Sequence, residues 1–262
     1  MEFSAGGGRV FAGSGGRAFE PSLPTVALLH GAGMNHTIWA AQARALAHRG
    51  RNVVALDFPG HGASAGPALA SIESLADWVL ACLKALGAAR FRLAGHSMGS
   101  LVALEAAARA GGACEALALL GFVPEMRVHS DLLQAARTGE HLAAELMTSW
   151  GFGLHGLTGG NPAPGVFLPQ VALRLLEQAP ATSLAVDLAA CDAYRNADAA
   201  AQRVACPVLL LLGERDRMTP SAKGAAFAKN FSQSRVRLLP DAGHMMMVEQ
   251  PSLTLDSLLA IL

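Results

Sequence analysis

Residues 90–110 read RFRLAGHSMGSLVALEAAARA, and this stretch decides the fold. Arg90 to Ala94 is a short β-favouring run. Gly95-His96-Ser97-Met98-Gly99 is a G-x-S-x-G pentapeptide, and Met98 to Ala110 is alanine-rich with helical period. A strand that turns sharply into a helix would hold Ser97 in strained φ/ψ, and glycines two residues before and after it let neighbouring backbone approach closely. Alone, the same five residues would read as a Gly-rich turn capped by Ser97. The strand before and the helix after favour the strained turn.

The same alternation extends in both directions. Thr25 to His30, Asn52 to Asp57, Ala116 to Leu120, Pro207 to Leu212 and Arg235 to Leu239 are further strand candidates, and Ile38 to Arg49 and Ile72 to Leu86 are helix candidates. Short apolar runs alternating with helices predict an α/β chain with a mostly parallel sheet covered on both faces. The Gly-rich segment Ala5 to Gly16 predicts an antiparallel edge hairpin. Between Phe122 and Ala201 no strand candidate appears. Roughly 80 residues without structure of their own would be unusual in a compact domain, so a helical cap is expected there. The predicted division is 1–121 core, 122–201 cap and 202–262 core, with a flexible Gly151 to Gly165 stretch that lets substrates enter.

The chain has 262 residues, 52% of them hydrophobic and 15% charged, which excludes intrinsic disorder. Twenty basic and 20 acidic residues leave a formal net charge of zero, so nothing gathers nucleic acid or an anionic membrane. Seventeen of the basic residues are Arg, which reads as composition bias, and no cluster of them suggests a phosphate or polyanion site. Cys82, Cys114, Cys191 and Cys206 form no CxxC pair, so neither a disulfide framework nor a metal site is expected. The start lacks a signal-peptide pattern and no apolar run reaches the roughly 18 residues of a membrane span. A soluble cytoplasmic protein is expected.

A serine hydroxyl needs a base to take its proton, and the base needs a carboxylate to fix its tautomer. LLLLGERDRMTP and LLPDAGHMMMVEQP each place such a group just after a predicted strand, at the edge where parallel strands open a crevice. Asp216 is the acid candidate and His244 the base. Asp241, three residues before His244, reads instead as a turn residue capping backbone N–H groups. His96 sits beside Ser97 and reads as structural; His129, His141 and His155, in the expected cap, read as ordinary surface or helix residues. The backbone N–H of Met98, at the helix start, can face an oxyanion.

With these residues in order, the chain resembles the α/β-hydrolase fold superfamily, in its capped, esterase-like serine hydrolase branch, over nearly its full length. The matching features are His30-Gly31-Ala32-Gly33, Asp57-Phe58-Pro59-Gly60-His61-Gly62, the Ser97 turn, Gly213-x-x-Asp216, and Gly243-His244 followed by Glu249 and Pro251. The resemblance implies about eight mostly parallel strands with a helical cap after the sixth. It also implies a second oxyanion donor at the Ala32 N–H, and loop-bracing roles for His30 and His61.

The expected activity is cleavage of a carboxylic ester, thioester or lactone with an apolar part, through an acyl-enzyme on Ser97 and without a cofactor or metal. Trp150, Phe152 and Met245 are the candidates for contact with a small apolar acyl substrate, though packing would use the same side chains. A carbon-carbon bond hydrolase would use the same triad, but Met245 stands where that family is associated with tryptophan. An acyltransferase or a cofactor-free haloperoxidase or perhydrolase differs only in what reaches the acyl-enzyme. From another class, a small-molecule receptor on this fold would turn over slowly and recruit a partner.

Overall fold

The computed structural model describes residues 1–160 and 165–262. Eight strands form one sheet: β1 (Glu2–Ala5), β2 (Gly8–Gly13), β3 (Thr25–Leu29), β4 (Asn52–Leu56), β5 (Phe91–His96), β6 (Cys114–Leu120), β7 (Val208–Gly213) and β8 (Ser234–Leu239). Their order across the sheet is β1-β2-β4-β3-β5-β6-β7-β8. β1 pairs antiparallel with β2 and β2 antiparallel with β4; every other pairing is parallel. The mostly parallel sheet expected from the alternation is present, with the eight strands that the resemblance implies. β3, β4 and β7 are buried at every position, which is why, after Thr25 and Asn52 at the starts of β3 and β4, their sequences are apolar runs with no period of two. β8 closes the sheet as an edge, with Arg235 exposed and Arg237 half-buried along it.

The edge hairpin begins earlier than the Gly-rich segment suggested. Its turn is Gly6-Gly7, at φ 57° and 83°, so Ala5 to Gly16 holds only the end of β1, the turn and β2. Two consecutive positive-φ residues suit a tight hairpin turn, and glycine takes them without strain. The first strand, Glu-Phe-Ser-Ala, was hidden because it precedes the glycines.

Among the described residues twelve α-helices accompany these strands. The core carries α1 (Ala40–Ala47), α2 (Ile72–Ala85) and α3 (Met98–Ala110); between β6 and β7 come α4 (Ser130–Thr138), α5 (Leu142–Gly151), α6 (Leu154–Leu157), α7 (Leu168–Gln178), α8 (Ala181–Ala193) and α9 (Ala197–Arg203). α10 (Ser221–Phe227), α11 (Met246–Glu249) and α12 (Pro251–Leu259) complete the chain. Helix α2 shows how locally the sequence writes such an element: the Ser71 side chain accepts from the Ser74 N–H at its start, and apolar Ile72, Leu75, Val79 and Leu83 share its buried stripe. In the β6–β7 insertion, α4 packs on α5 and α8, and α5 packs on α7.

The end of the insertion is tied to the core by one buried carboxylate. Glu105 of α3 is fully buried and accepts from Tyr194 Oη at 2.8 Å and Asn196 Nδ2 at 2.6 Å; Arg109 approaches its other oxygen at 3.3 Å and Arg203 at 3.7 Å. Burial and the adjacent Glu105 carboxylate hold the Tyr194 phenol protonated, well above its usual range. Helix α9 packs on α3, so the chain is back against the core before Ala201, where the expected boundary lies. Glu105→Ala leaves a buried phenol and amide without partners and is expected to cost about 3 kcal/mol, against about 1 kcal/mol for Tyr194→Phe. Urea unfolding midpoints of the two variants check this order; equal losses would show that Glu105 serves Tyr194 alone.

Candidate active site

The strained turn is where the sequence placed it. Ser97 has φ 53° and ψ −122°, a conformation that L-residues rarely adopt. Its N–H donates to Leu120 O at 2.9 Å, and its carbonyl accepts from the Ser100 N–H at 2.8 Å and from the Ser100 hydroxyl at 2.6 Å. A Cβ on Gly95 would lie 2.0 Å from Gly99 O, and one on Gly99 would lie 2.4 Å from Leu29 O. Both glycines are there because β5, α3 and the end of β3 touch backbone to backbone.

Beyond β7 and β8 the chain brings Asp216 and His244 together, with Asp216 Oδ2 2.8 Å from His244 Nδ1 and both side chains buried. Asp216 also accepts from the N–H groups of Met218 (2.9 Å) and Thr219 (2.8 Å) and from the Thr219 hydroxyl (2.6 Å). Burial works against its charge, yet His244 and the Thr219 donors outweigh that and hold its carboxyl below the usual range. Since a carboxylate only accepts, His244 Nδ1 is the donor, which leaves Nε2 as the basic nitrogen. His244 and Ser97 border the same narrow cavity. Gly121, at φ 56°, makes room for the imidazole: a Cβ there would sit 2.9 Å from His244 Cε1. His96 stacks at 4.6 Å from the His244 ring and places Nε2 2.9 Å from the His244 carbonyl, while burial pushes its pKa down to about 3. Asp241 lies elsewhere, exposed, at φ 56°, and 3.7 Å from Arg215.

Ala32 and Ser97 line both this cavity and the larger one beside it, and Met98, as the first residue of α3, has no intrahelical acceptor for its N–H. The Ala32 loop is fixed by a side chain from the insertion. Asp187 of α8, buried, accepts from the Gly33 N–H at 2.8 Å and from His61 Nε2 at 2.8 Å. His61 Nδ1 lies 3.0 Å from Pro59 O, so both ring nitrogens face acceptors and both must carry protons. Burial alone would lower the His61 pKa, but the Asp187 carboxylate outweighs it and holds the ring above its ordinary 6.5. His30, whose ring lies 5.1 Å from His61, stays neutral: Nδ1 is 2.8 Å from Gly31 O, Nε2 accepts from the Phe58 N–H at 3.1 Å, and burial takes its pKa to about 3.

The insertion holds the His244 loop as well. His244 N–H and Met245 N–H donate to Gly151 O at 2.9 and 3.1 Å, and Glu249 accepts from the N–H groups of Gly153 (2.8 Å) and Met245 (3.1 Å). Burial raises the Glu249 pKa despite those donors. Of the stretch expected to be flexible, Leu142–Gly151 ends in a helix at Gly151 and Leu154–Leu157 is a further turn of helix, while residues 161–164 lie outside the described residues.

The larger cavity, about 570 Å³, runs from Ser97 and Ala32 between the core and the insertion, with Met126, Leu132, Met147, Trp150 and Leu188 as its apolar wall. Trp150 stands in it, whereas Phe152 and Met245 are buried beside the narrow cavity. Thr148, also on the narrow cavity, has a buried hydroxyl with no protein partner among the described residues. Arg127 and Arg217, distant in sequence, join the wall of the larger one. Asp187, Thr219, Gly121 and these two arginines were not singled out for the site by sequence, and Glu249 was named only as a feature of the resemblance, with no role. Gly121 borders a recognised strand and Thr219 lies in the Asp216 stretch, but nothing near Asp187 in the chain marks it. Among the described residues no group of three or more His, Cys, Asp or Glu side chains is placed to hold a metal ion, and no helix is long and apolar enough to cross a membrane.

Comparison with known proteins gives the family and the fold. A model of the alpha/beta hydrolase family matches residues 26–256. A pimeloyl-[acyl-carrier protein] methyl ester esterase of Methylococcus capsulatus is 31% identical over 85% of this chain and 88% of that protein. The dihydrolipoyllysine-residue acetyltransferase component of an acetoin cleaving system from Pseudomonas putida is 27% identical over 93% of this chain, which spans only 64% of that protein. Among solved structures, the enol-lactonase of Burkholderia xenovorans LB400 superposes with a TM-score of 0.89 at 24% identity, over 99% of this chain and 98% of that one, a likeness of fold.

The Asp187–His61 pair carries a pH signature. Because the His61 pKa is raised on folding, its contribution to stability is fully present below the unfolded value, 6.5, and is lost as pH rises through the folded value. Melting temperature measured from about pH 6 to pH 9 is expected to fall more steeply for the native chain than for Asp187→Asn, which lacks the charge that raises the His61 pKa. Parallel profiles would mean that His61 is neutral in the folded state.

Proposed function

The chain belongs to the alpha/beta hydrolase family, and from that premise we propose that it is a serine hydrolase of carboxylic esters, lactones or thioesters with Ser97, His244 and Asp216 as its catalytic triad. The observation that carries the proposal is the buried Asp216–His244 hydrogen bond at 2.8 Å beside a cavity shared with a serine at positive φ. Substrate enters the 570 Å³ cavity with its carbonyl carbon against Ser97 Oγ. His244 Nε2 takes the hydroxyl proton as the C–O bond forms, and Asp216 stabilises the resulting imidazolium without itself being protonated. The N–H groups of Ala32 and Met98 hold the oxyanion, where two fixed donors in a dry site act on charge that appears only in the transition state. His244 then gives its proton to the leaving alkoxide. Water attacks the acyl-enzyme, losing its proton to the same nitrogen, and Ser97 leaves with that proton as the acid is released.

In this reading residues 122–193 are a helical cap that shapes the acyl site, and the Gly33–Asp187–His61 chain holds the oxyanion loop in register with it. Names of relatives support ester or lactone chemistry: the methyl ester esterase and the enol-lactonase both carry it in their descriptions. A serine nucleophile excludes the alkyl-enzyme chemistry of epoxide hydrolases and haloalkane dehalogenases, which needs Asp at that position.

Ser97→Ala is expected to abolish both ester hydrolysis and covalent labelling by a fluorophosphonate. Asp216→Asn and His244→Ala are each expected to lower kcat by about 10⁴-fold, with losses that do not add in the double variant because the triad works as a unit. Mass spectrometry that placed the label on Ser100 or Ser64 would remove the proposal. The cap makes a separate prediction. Trp150 stands in the cavity, so Trp150→Ala should change the ranking of acyl-chain lengths, since apolar contact contributes about 25 cal/mol per Å² only for substrate surface that touches it. Phe152 is buried, so Phe152→Ala should instead destabilise the fold by about 3–5 kcal/mol and depress all substrates together. Steady-state kinetics on a graded ester series, with melting curves alongside, separates the two effects.

A further inference from the structure

The wall of the 570 Å³ cavity is apolar except for a one-sided charge. Arg127 and Arg217 line it, His129 stands with them, and no Asp or Glu is among its lining residues. In a chain whose formal charges cancel, a cavity bounded by two guanidiniums and no carboxylate is a local asymmetry.

Neither guanidinium is neutralised by a strong internal pair. Arg217, exposed at the cavity mouth, donates through Nη2 to the backbone oxygen of Ser149 in the last turn of α5 and has no carboxylate partner among the described residues. Arg127 lies 3.3 Å from Glu125 through Nε, but both side chains are exposed, where such a pair contributes little and leaves the other guanidinium donors free. A guanidinium offers parallel N–H groups at the spacing of carboxylate oxygens. The same cavity is lined by Ser97 and by Met126, Leu132, Met147, Trp150 and Leu188, which offer no polar side-chain atom to a substrate except the Trp150 indole N–H.

We infer that the substrate carries a carboxylate at the end of an apolar chain remote from the scissile ester, and that Arg217, with Arg127, selects for it. The inference rests on the reading of Ser97 as nucleophile and adds the substrate class. The methylene chain occupies the apolar wall, the carboxylate meets the guanidiniums, and the ester carbonyl reaches Ser97. Such a group is available on either side of the ester bond. It is the far end of a half-ester of a dicarboxylic acid, or the far end of the alcohol in an ester of an ω-hydroxy acid.

The test compares matched neutral and anionic esters on the intact protein. One arm sets monomethyl esters of straight-chain α,ω-dicarboxylic acids against methyl esters of monocarboxylic acids of equal length. The other sets acyl esters of ω-hydroxy acids against those of simple alcohols. In one arm the anionic member should be preferred roughly tenfold in kcat/KM, through KM, and the preference should shrink as salt is raised. Arg217→Gln should remove most of the preference, Arg217→Lys should restore part of it, and Arg127→Gln should lower it independently. If neutral esters are turned over and Ser97 is labelled, but neither arm favours the anion, the carboxylate assignment is overturned and the hydrolase reading stands. A preference untouched by all three substitutions overturns the assignment to this wall. If no ester in either arm is hydrolysed and Ser97 takes no label, the hydrolase reading falls and this inference falls with it.

Discussion

A serine held at φ 53° and ψ −122° is the constraint on which the rest of the molecule depends. A non-glycine residue in that region costs on the order of 1–3 kcal/mol and persists only where its surroundings leave it no alternative. Here the surroundings are the sheet and α3. The Ser97 N–H is taken by Leu120 of the neighbouring strand, its carbonyl is taken twice by Ser100, the start of α3 leaves residue 95 no space for a side chain, and the end of β3 leaves none at residue 99. The parallel register that sets Leu29 beside Gly95 and Leu56 also brings the ends of β3, β4 and β5 to one edge. The functional loops leave from that edge because that is where parallel strands end.

Around this centre the molecule buries carboxylates and saturates each one. Asp216 takes donors from Met218, Thr219 and His244, Asp187 from Gly33 and His61, and Glu249 from Gly153 and Met245. Most of these donors are backbone N–H groups, so each acid fixes main chain more than it pairs with a side chain. An ionised group that fails to find such donors is expensive to bury, which makes each arrangement close to all-or-none. Two of the three join the insertion to the core. Asp187 reaches from α8 to the Ala32 loop, and Glu249 reaches from the His244 loop to Gly153.

The legible part of the site was the part written locally. Ser97, Asp216 and His244 each follow an apolar run, so a polar residue at the end of a strand stands out. Asp187 does not: it is one acid in an alanine-rich helix, and its partners Gly33 and His61 lie 154 and 126 residues away. Arg127 and Arg217 were invisible for a different reason, since 17 scattered arginines read as composition until the fold draws two of them to one wall. Trp150 and Phe152, two residues apart, were indistinguishable by type and spacing. The end of α5 separates them, leaving one beside the large cavity and the other packed near His244. The edge hairpin was displaced because glycines mark the turn and say little about where the first strand starts.

The attachment of the insertion has a consequence for how such a domain is exchanged. A segment grafted between β6 and β7 would have to supply more than a new wall. It must bring a carbonyl at the position of Gly151, an N–H at that of Gly153 and an acid at that of Asp187, because the core leaves the complementary groups waiting. Between these points Ser183 Oγ also donates to Gly60 O, and Leu176 and Leu184 lie against Gly33. A chimera built by cutting at the strand ends alone would therefore inherit a pocket without the contacts that align it.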